Sequence, residues 1–350
     1  MPDEEAPRRP GGIKSLTPRK VSHWAADSVH RRVVGDAREG THLALHEASP
    51  AGVDLVGWAL ANRQRLIAEL HDGGGVFLRG FDVSTPEQLE RFASVFVTDL
   101  LGDNGEHPRA SVNGKIYTPV SHPPDEKLLW HTENSFNASG PTRIWFACTT
   151  PAATGGETPV VDSRAVHRRL APEIRDAFAR KGVMYVRTYG AALGLHWREV
   201  FRTESRTEVE GRCRRSGLSY DWHGDVLRTS CVRPGVLRHP VTGQMTWFNQ
   251  AQHWHTSCLG AEAREALHTV FGEEGLPRAC FFGDGSPIPD EVMAEILGVY
   301  ADLEVTIPWQ RGDVMFLDNL LMAHGRNPYR GERKLLVAMG GLIDFSDKGA

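Results

Sequence analysis

The sequence predicts a mostly β protein with helical additions (α+β), in which an antiparallel β-sandwich or distorted jelly roll is covered by helices. Short apolar or β-branched runs alternate with turn residues over most of the chain, and helical patterns occur before and among them. No internal repeat is visible, and nothing between about residues 25 and 345 has the composition of a flexible linker. Residues 21–350 are therefore expected to form a single domain.

The predicted helices are recognised by apolar spacing and by signals at their ends. Residues 54–71 place apolar side chains at helical spacing, and the glycines at 73–75 end this helix. A second helix begins at Pro86 and runs to about Phe96, because Thr85 can cap it and Gln88 suits the third position of a capping box. Further helices are predicted at residues 163–181, 262–271 and 290–300.

The predicted strands share a short length and flanking turn residues. In chain order they are GVFLRG, KIYTPV, RIWFACTTP, ETPVVD, VMYVRTY, GLSYDWH, DVLRTSCVR, QMTWFN, LEVTIPW, DVMFLD, LMAHG and KLLVAMGGLI. The turn residues Gly224 and Asp225 join GLSYDWH to DVLRTSCVR, and residues 239–243 form another turn before QMTWFN.

Composition limits the classes of function. The chain has 350 residues, 40% of them hydrophobic and 24% charged, which is ordinary for a globular protein with a sizeable core. Its formal net charge of −4 provides no bulk basic field for nucleic acid. The chain has no run of about 18 apolar residues, so no membrane span is expected.

Two features favour a cytoplasmic location. The Pro-, Gly- and charge-rich residues 1–20 lack the apolar core of a secretory signal and are expected to form a disordered tail. The cysteines are odd in number and contain no C-x-x-C, which is typical of reduced thiols rather than of disulfides or a metal site. They are Cys148, Cys213, Cys231, Cys258 and Cys280.

A candidate metal site begins with His131 and Glu133, which lie two positions apart. Residues i and i+2 of a strand point to the same face, so an imidazole and a carboxylate could reach one metal together. His324, in DNLLMAHGR, is the best third ligand. Two neutral histidines and one carboxylate leave three positions open on an octahedral metal, which is the ligand set of iron(II) oxygenases.

H-x-E alone is weak evidence in a chain with 16 histidines and 44 acidic residues. Two rival motifs are present, His223 with Asp225 and the pair His253 and His255 as a cupin-like alternative. The alternative interpretation of His131 is a surface histidine beside a solvated carboxylate.

Thr158 and Arg333 add a second feature. Thr158 follows His131 by 27 residues in GGETP, and Arg333 follows His324 by nine. An arginine after the distal histidine can bind the far carboxylate of 2-oxoglutarate bidentately, and a threonine hydroxyl can donate a further hydrogen bond to it. Taken singly, each residue is also typical of a surface strand end or a turn.

Four segments together resemble a known family. WHTENSF, PTRIWFACTTPAATGGETPVVDSRAV, WFNQAQHWH and GDVMFLDNLLMAHGRNPYRGERKLLVAMG are similar to the TauD/TfdA superfamily of 2-oxoglutarate dioxygenases, and most of all to its SyrP-like branch. The similarity runs from about Gly57 to Gly340. It implies a double-stranded β-helix (jelly-roll) core flanked by helices, with Fe(II), 2-oxoglutarate and O2.

The family pattern matches this chain residue by residue. The resemblance implies that His131, Glu133 and His324 bind the iron and that Thr158 and Arg333 bind 2-oxoglutarate. The family usually has Asp at the carboxylate position, but this branch and clavaminate synthase-like relatives have Glu. A carboxylate there argues against halogenation, because related halogenases use that position for halide. His223-Gly224-Asp225 is then expected at a hairpin turn.

The resemblance also bears on the substrate. It implies an oxygenase that hydroxylates an amino acid, or an amino-acid-derived substrate, in secondary metabolism such as antibiotic biosynthesis. Some relatives acting on amino acids carry a second Arg where this chain has Val337, which favours a masked carboxyl such as a carrier-protein thioester. Desaturation, epoxidation or cyclisation with the same cofactors stays open. So do a cupin-like metal protein without 2-oxoglutarate turnover and a non-catalytic scaffold.

Other residues keep two interpretations. Asn134 and Asn249 are expected to satisfy backbone groups in turns rather than to bind substrate. His253 and His255 are expected to be ordinary surface histidines, with a position near the active-site mouth as the alternative, and Arg326 either faces substrate or braces a loop. Core positions are expected for Trp130, Trp145 and Trp247. The arginines that would suit an acidic carrier protein, although a solvated face is the simpler interpretation, are Arg212, Arg214 and Arg215.

Overall fold

The structure is a computed structural model that describes residues 28–49, 53–102, 112–190, 196–272 and 275–345. The predicted tail, residues 1–20, lies outside these ranges. The single domain of residues 21–350 stays a prediction.

Strands predominate in the described residues. They are β1 (Val29–Gly35), β2 (His42–Ala48), β3 (Gly75–Arg79), β4 (Leu128–His131), β5 (Ser139–Thr150), β6 (Thr154–Gly155), β7 (Val160–Asp162), β8 (Val183–Tyr189), β9 (Ser219–His223), β10 (Val226–Arg233), β11 (Val236–Arg238), β12 (Met245–Trp247), β13 (Arg278–Phe282), β14 (Val314–Asp318), β15 (Met322–Arg326), β16 (Tyr329–Arg330) and β17 (Lys334–Asp344).

The helices lie before and between the strands. They are α1 (Leu55–Gly73), α2 (Pro86–Ala93), α3 (Ser163–Arg169), α4 (Pro172–Lys181), α5 (Trp197–Phe201), α6 (Arg206–Arg215), α7 (Ala261–Phe271) and α8 (Asp290–Leu303). Two short 3₁₀ turns follow β12, at Ala251–His253 and Thr256–Cys258. Helices α5 and α6 were not predicted from the sequence.

The strands form a large sheet with the order β1-β2-β3-β14-β5-β17 and a small sheet with the order β4-β15-β7. Pairing is antiparallel except between β2 and β3. One apolar cluster joins the large sheet to β7 and β15, with Phe77 and Ile144 packed together with Val160 and Met322. The two sheets therefore face each other across a shared core, which agrees with the predicted jelly roll.

Helices α1 and α2 cover the opposite face of the large sheet. Leu70 and Phe92 of these helices are fully buried in one cluster with Val76, Trp145 and Phe316 of the sheet. A further sheet with the order β13-β8-β10-β9 packs with α3, α4 and α8 around the second half of the core. The predicted mostly β architecture with helical cover is confirmed.

Local signals in the sequence set several of the boundaries. Gly74 ends α1 in the left-handed region with φ 76°, which glycine adopts without steric cost. Thr85 and Gln88 form the predicted capping box, with Pro86 in the first turn of α2. The helix ends at Ala93 rather than near Phe96.

Prolines explain where the predicted elements were wrong. The single helix predicted for residues 163–181 is split, because Pro172 disfavours a helical conformation at Ala171, whose ψ is 140°. KIYTPV and LEVTIPW form only the isolated bridges of Tyr117 and Val305, since each run contains a proline, which has no backbone N–H for a ladder.

The other expectations from composition concern cysteines and membrane spans. All five cysteines lie in the described ranges, and they form no disulfide. Within those ranges, no helix combines the length and the apolar character needed to cross a bilayer.

Candidate active site

Two neighbouring strands bring the predicted metal ligands together. His131 ends β4, and His324 lies at the centre of β15, directly opposite it in the antiparallel register. The two rings have centroids 4.4 Å apart. One potential ligand atom each from His131, Glu133 and His324 lies within 4.8 Å of the others. Among the residues that the structure describes, these three side chains form the group of His, Cys, Asp or Glu residues whose ligand atoms are close enough to hold one metal ion.

Glu133 reaches the group from a turn rather than from a strand. The strand ends at His131, and the chain turns through Asn134, which has a positive φ of 61°. The expectation that His131 and Glu133 lie on the same face of one strand was therefore wrong. Their ligand atoms nevertheless lie close together. The turn is a tight one, and its non-glycine residue in the left-handed region is an asparagine, which tolerates that conformation better than most residues.

Asn319 holds this turn from the segment between β14 and β15. Its Oδ1 accepts the Glu133 backbone N–H at 2.7 Å, and its Nδ2 donates to the Glu133 carbonyl at 3.0 Å and to the Pro141 carbonyl at 2.8 Å. Asn319 is fully buried, and these bonds satisfy backbone groups of the half-buried Glu133 and the buried Pro141. The backbone of the proposed carboxylate ligand is therefore fixed without a strand partner.

Replacing Asn319 by leucine is expected to lower the free energy of unfolding by about 1–3 kcal/mol, because it leaves buried backbone groups without partners. Urea unfolding of the metal-free protein measures this change. Asn62→Leu is the matched control, because the Asn62 side chain donates only to Trp58 within its own helix. Equal stability of Asn319→Leu and wild type would contradict the role assigned to the amide.

A backbone carbonyl fixes the tautomer of His131. Its Nδ1 lies 3.0 Å from the Leu129 carbonyl oxygen, which can only accept, so Nδ1 carries the proton. The lone pair is then on Nε2, which is the form that a metal-binding imidazole needs. His324 is buried, and its ring packs against Phe146 at 5.1 Å.

Arg333 and Thr158 form a second polar group. Arg333 lies one residue before β17 rather than within it. Its Nε donates to the Gly156 carbonyl at 2.7 Å, and its Nη2 is 3.5 Å from Thr158 Oγ1. Trp309 Nε1 also donates to this hydroxyl oxygen, at 3.2 Å. Since both neighbours are donors, the Thr158 hydroxyl keeps its own proton for an acceptor such as a carboxylate.

The guanidinium of Arg333 is half-buried and forms no ion pair with a carboxylate of the described residues. Burial lowers the pKa of Arg333 to about 10, with a smaller contribution from Arg326. Because this pKa remains above neutrality, the group is a cation at pH 7. A half-buried cation that forms no ion pair with a carboxylate of the described residues is a suitable partner for an anionic ligand.

One cavity connects both groups. It has a volume of about 460 Å³, and all five predicted site residues, His131, Glu133, Thr158, His324 and Arg333, contribute to its wall. The rest of the wall combines apolar and polar side chains, among them Thr118, Ser121, His122, Leu128, Phe146 and Val337. A cavity of this size suits a small molecule.

The rival motifs do not reach this cavity. His223 ends β9 and Asp225 lies in the hairpin turn before β10, as expected, with His223 paired to Asp221 at 2.8 Å and Asp225 bound by Arg198. His255 bonds to Ser257 and to the Ile288 carbonyl. His253 is half-buried and its ring packs edge-on against His131 with centroids 5.0 Å apart, so it lies beside the candidate site, as in the alternative interpretation.

Several residues with two interpretations are resolved. Asn249 satisfies backbone groups as predicted, donating to the Gly235 carbonyl and accepting from the Ala251 N–H. Arg326 braces a loop, because its guanidinium donates to the carbonyls of His122, Pro123 and Glu126, and it also contributes to the wall of the cavity. Core positions are confirmed for Trp130, Trp145 and Trp247.

Sequence reasoning missed two polar residues of the candidate site. Trp309 contacts Thr158, and nothing in its flanking sequence separates it from a core tryptophan. Asn319 lies in DNLLMAHGR, where an Asp-Asn pair at the end of a buried strand is a signal for side-chain bonds to backbone.

The donor set fits a specific class of cofactor. Two imidazoles and one carboxylate on one side of a cavity suit an octahedral iron(II) ion with positions left for other ligands. A guanidinium that is not ion-paired within the described residues and a donating hydroxyl on the same wall suit the distal carboxylate of a keto acid. The fold and these two groups together define a 2-oxoglutarate oxygenase type of site.

Comparison with known proteins leads to the same class. The family model described as taurine catabolism dioxygenase TauD, TfdA family matches residues 39–339. The chain belongs to this family. It is accordingly a dioxygenase with a jelly-roll fold that uses Fe(II), 2-oxoglutarate and O2.

Individual relatives are similar over most of their length. The dapdiamide synthesis protein DdaC of Enterobacter agglomerans is 34% identical over 273 residues, covering 77% of this chain and 83% of the relative. A clavaminate synthase-like protein of Arabidopsis thaliana is 29% identical over 282 residues, covering 77% and 82%. The structure of PvcB from Pseudomonas aeruginosa has a TM-score of 0.52 at 15% identity, covering 91% of this chain and 93% of that one, which supports the fold.

Proposed function

We propose that His131, Glu133 and His324 bind Fe(II), and that Thr158 and Arg333 bind 2-oxoglutarate. We further propose that the enzyme hydroxylates an amino acid or an amino-acid-derived substrate, free or tethered to a carrier protein, in secondary metabolism. The observation that carries this proposal is that one cavity of about 460 Å³ is lined by all five residues. The cavity extends from the three proposed metal ligands to Thr158 and Arg333, and a keto acid could fill the space between them.

Each residue has a distinct task in this proposal. When bound, Fe(II) and 2-oxoglutarate activate O2 and supply the oxidising power, with release of succinate and CO2. His131 and His324 contribute neutral nitrogens, and Glu133 contributes the charge that balances part of the metal's. Arg333 and Thr158 orient the keto acid through its far carboxylate, and the apolar part of the wall limits the access of water.

The substrate class rests on relatives and on one wall residue. DdaC is named for the synthesis of dapdiamide, and the Arabidopsis relative is named as clavaminate synthase-like, which supports a place in secondary metabolism. Val337 is buried in the cavity wall, where a second arginine would offer a carboxylate partner. An apolar side chain at that point favours a substrate whose carboxyl group is masked, as in an amide or a thioester.

The arginine cluster offered for a carrier protein receives little support. Arg212 pairs with Glu208 and Arg214 with Glu210 on the same helix, which is typical of a solvated face. The tethered form of the proposal therefore depends on the masked carboxyl and not on these charges.

A paired substrate screen tests the proposed substrate class. Amino acids are supplied as free acids, as amides and as thioesters on a carrier protein, and succinate and the mass of the product are measured. We expect succinate formation coupled to the gain of one oxygen atom, with masked forms ahead of free acids. Loss of two hydrogens would assign desaturation or cyclisation instead. Faster turnover of free amino acids than of masked forms would contradict the interpretation of Val337.

A further inference from the structure

The segment Gln250–His253 contacts the strand that carries the proposed ligand His131, although 118 or more residues separate them. This segment belongs to the WFNQAQHWH motif, for which the proposed chemistry gives no role. Three of its side chains donate to three backbone carbonyls of the ligand strand and the residue after it. The pairs are Gln250 with Thr132, Gln252 with Trp130, and His253 with Leu129.

These carbonyls flank the proposed ligands. Leu129 O accepts both from His131 Nδ1 and from His253 Nε2, each at 3.0 Å, so one oxygen aligns the two rings. The Trp130 and Thr132 carbonyls lie immediately before and after His131. Gln250 and Gln252 are almost fully buried, at 6% and 2% exposure, so water cannot easily replace either donor.

The ligand strand needs such support because its own pairing is poor. Strand β4 has four residues, and its ladder with β15 is interrupted by a register shift between His324 and Arg326. The segment itself is anchored to other parts of the fold. Tyr185 Oη accepts the Gln250 N–H at 2.9 Å, and Asn249 donates to the Gly235 carbonyl at 2.8 Å. The anchored segment Gln250–His253 thus contacts the weakly paired strand β4 at the end that carries His131.

We propose that Gln250, Gln252 and His253 form a positioning element that fixes the backbone and ring orientation of His131 before the metal binds. His253 is its central residue, since it shares the Leu129 carbonyl with His131 and packs against that ring at 5.0 Å. The inference rests on the proposed metal site. It predicts that the hydrogen bond from His253 Nε2 to the Leu129 carbonyl contributes to metal affinity, in addition to the packing of the His253 ring. Hydrogen-bond partners behind a metal ligand typically contribute about 10- to 100-fold in affinity.

Binding of Co(II) alone, followed by its visible absorption, tests this role without any substrate. His253→Leu removes the donor, whereas His253→Gln keeps an amide N–H near the position of Nε2. We expect about 10- to 100-fold weaker Co(II) binding in His253→Leu and close to wild-type binding in His253→Gln. His255→Leu is the matched control, because His255 contacts Ser257 and Ile288 and not the ligand strand.

The outcomes separate the alternatives. Wild-type Co(II) affinity in folded His253→Leu would overturn the positioning role while leaving the metal site intact. Equal weakening in the Leu and Gln variants, with equal loss of melting temperature, would mean that packing alone matters and would also overturn it. Absence of Co(II) binding by wild type would instead refute the metal site. If His253→Leu does not fold, Gln252→Met, which removes the donor to Trp130, is expected to weaken Co(II) binding about 10-fold.

Discussion

Replacing Arg333 by alanine is expected to weaken 2-oxoglutarate binding by at least about 100-fold, equivalent to about 2.7 kcal/mol. The guanidinium is half-buried, is charged at neutral pH and has no carboxylate partner in the described residues, so an anionic ligand loses its main counter-charge. Equilibrium titration of the iron-loaded protein with 2-oxoglutarate, without O2, measures the change. Metal affinity itself should be nearly unaffected.

Two companion variants sharpen this result. Arg333→Lys keeps the charge but loses the planar pair of donors, so an intermediate affinity is expected. Arg330→Ala removes an exposed neighbouring arginine and should bind 2-oxoglutarate as wild type does. Wild-type affinity in Arg333→Ala would show that the keto acid binds elsewhere in the cavity.

Replacing Glu133 by alanine is expected to weaken Fe(II) binding by more than about 100-fold and to abolish turnover. This loss of affinity is larger than the roughly 10- to 100-fold that is typical when a hydrogen-bond partner of a metal ligand is removed, because the carboxylate would contact the metal directly. Metal affinity is measured by competition with a chelating dye, and turnover by succinate formation.

The controls for Glu133 separate charge from geometry. Glu133→Asp keeps a carboxylate, the residue usual in the family, and should retain part of the affinity. Glu126→Ala removes an exposed carboxylate of the nearby loop, whose side chain interacts only weakly with His122 at 3.8 Å, and should match wild type. Retention of full Fe(II) affinity in Glu133→Ala would remove the carboxylate from the proposed ligand set.

Much of the architecture was predictable from local signals. The capping box at Thr85 and the left-handed Gly74 are short-range features, and the structure contains both. The proposed site residues could be chosen from the sequence because ligand chemistry restricts residue types, and because the resemblance to a family linked His131 to the distant His324. Convergence of the ligand atoms within 4.8 Å is a tertiary property that spacing alone does not determine.

The details that sequence reasoning missed depend on contacts between distant segments. Glu133 lies in a turn because Asn319, 186 residues later, supplies the hydrogen bonds that a strand partner would otherwise provide. His253 packs against His131 because the 3₁₀ turn Ala251–His253 lies beside the short strand β4. No periodicity in the sequence predicts either contact, since each involves at least one segment outside the regular helices and strands.

We propose that one cavity binds Fe(II) and 2-oxoglutarate together through His131, Glu133, Thr158, His324 and Arg333. The most direct measurement is the visible spectrum of the wild-type protein after addition of Fe(II) and then 2-oxoglutarate, without O2. We expect a weak charge-transfer band that appears only with both additions and saturates with 2-oxoglutarate. A folded, iron-loaded protein that gives no such band would contradict the account.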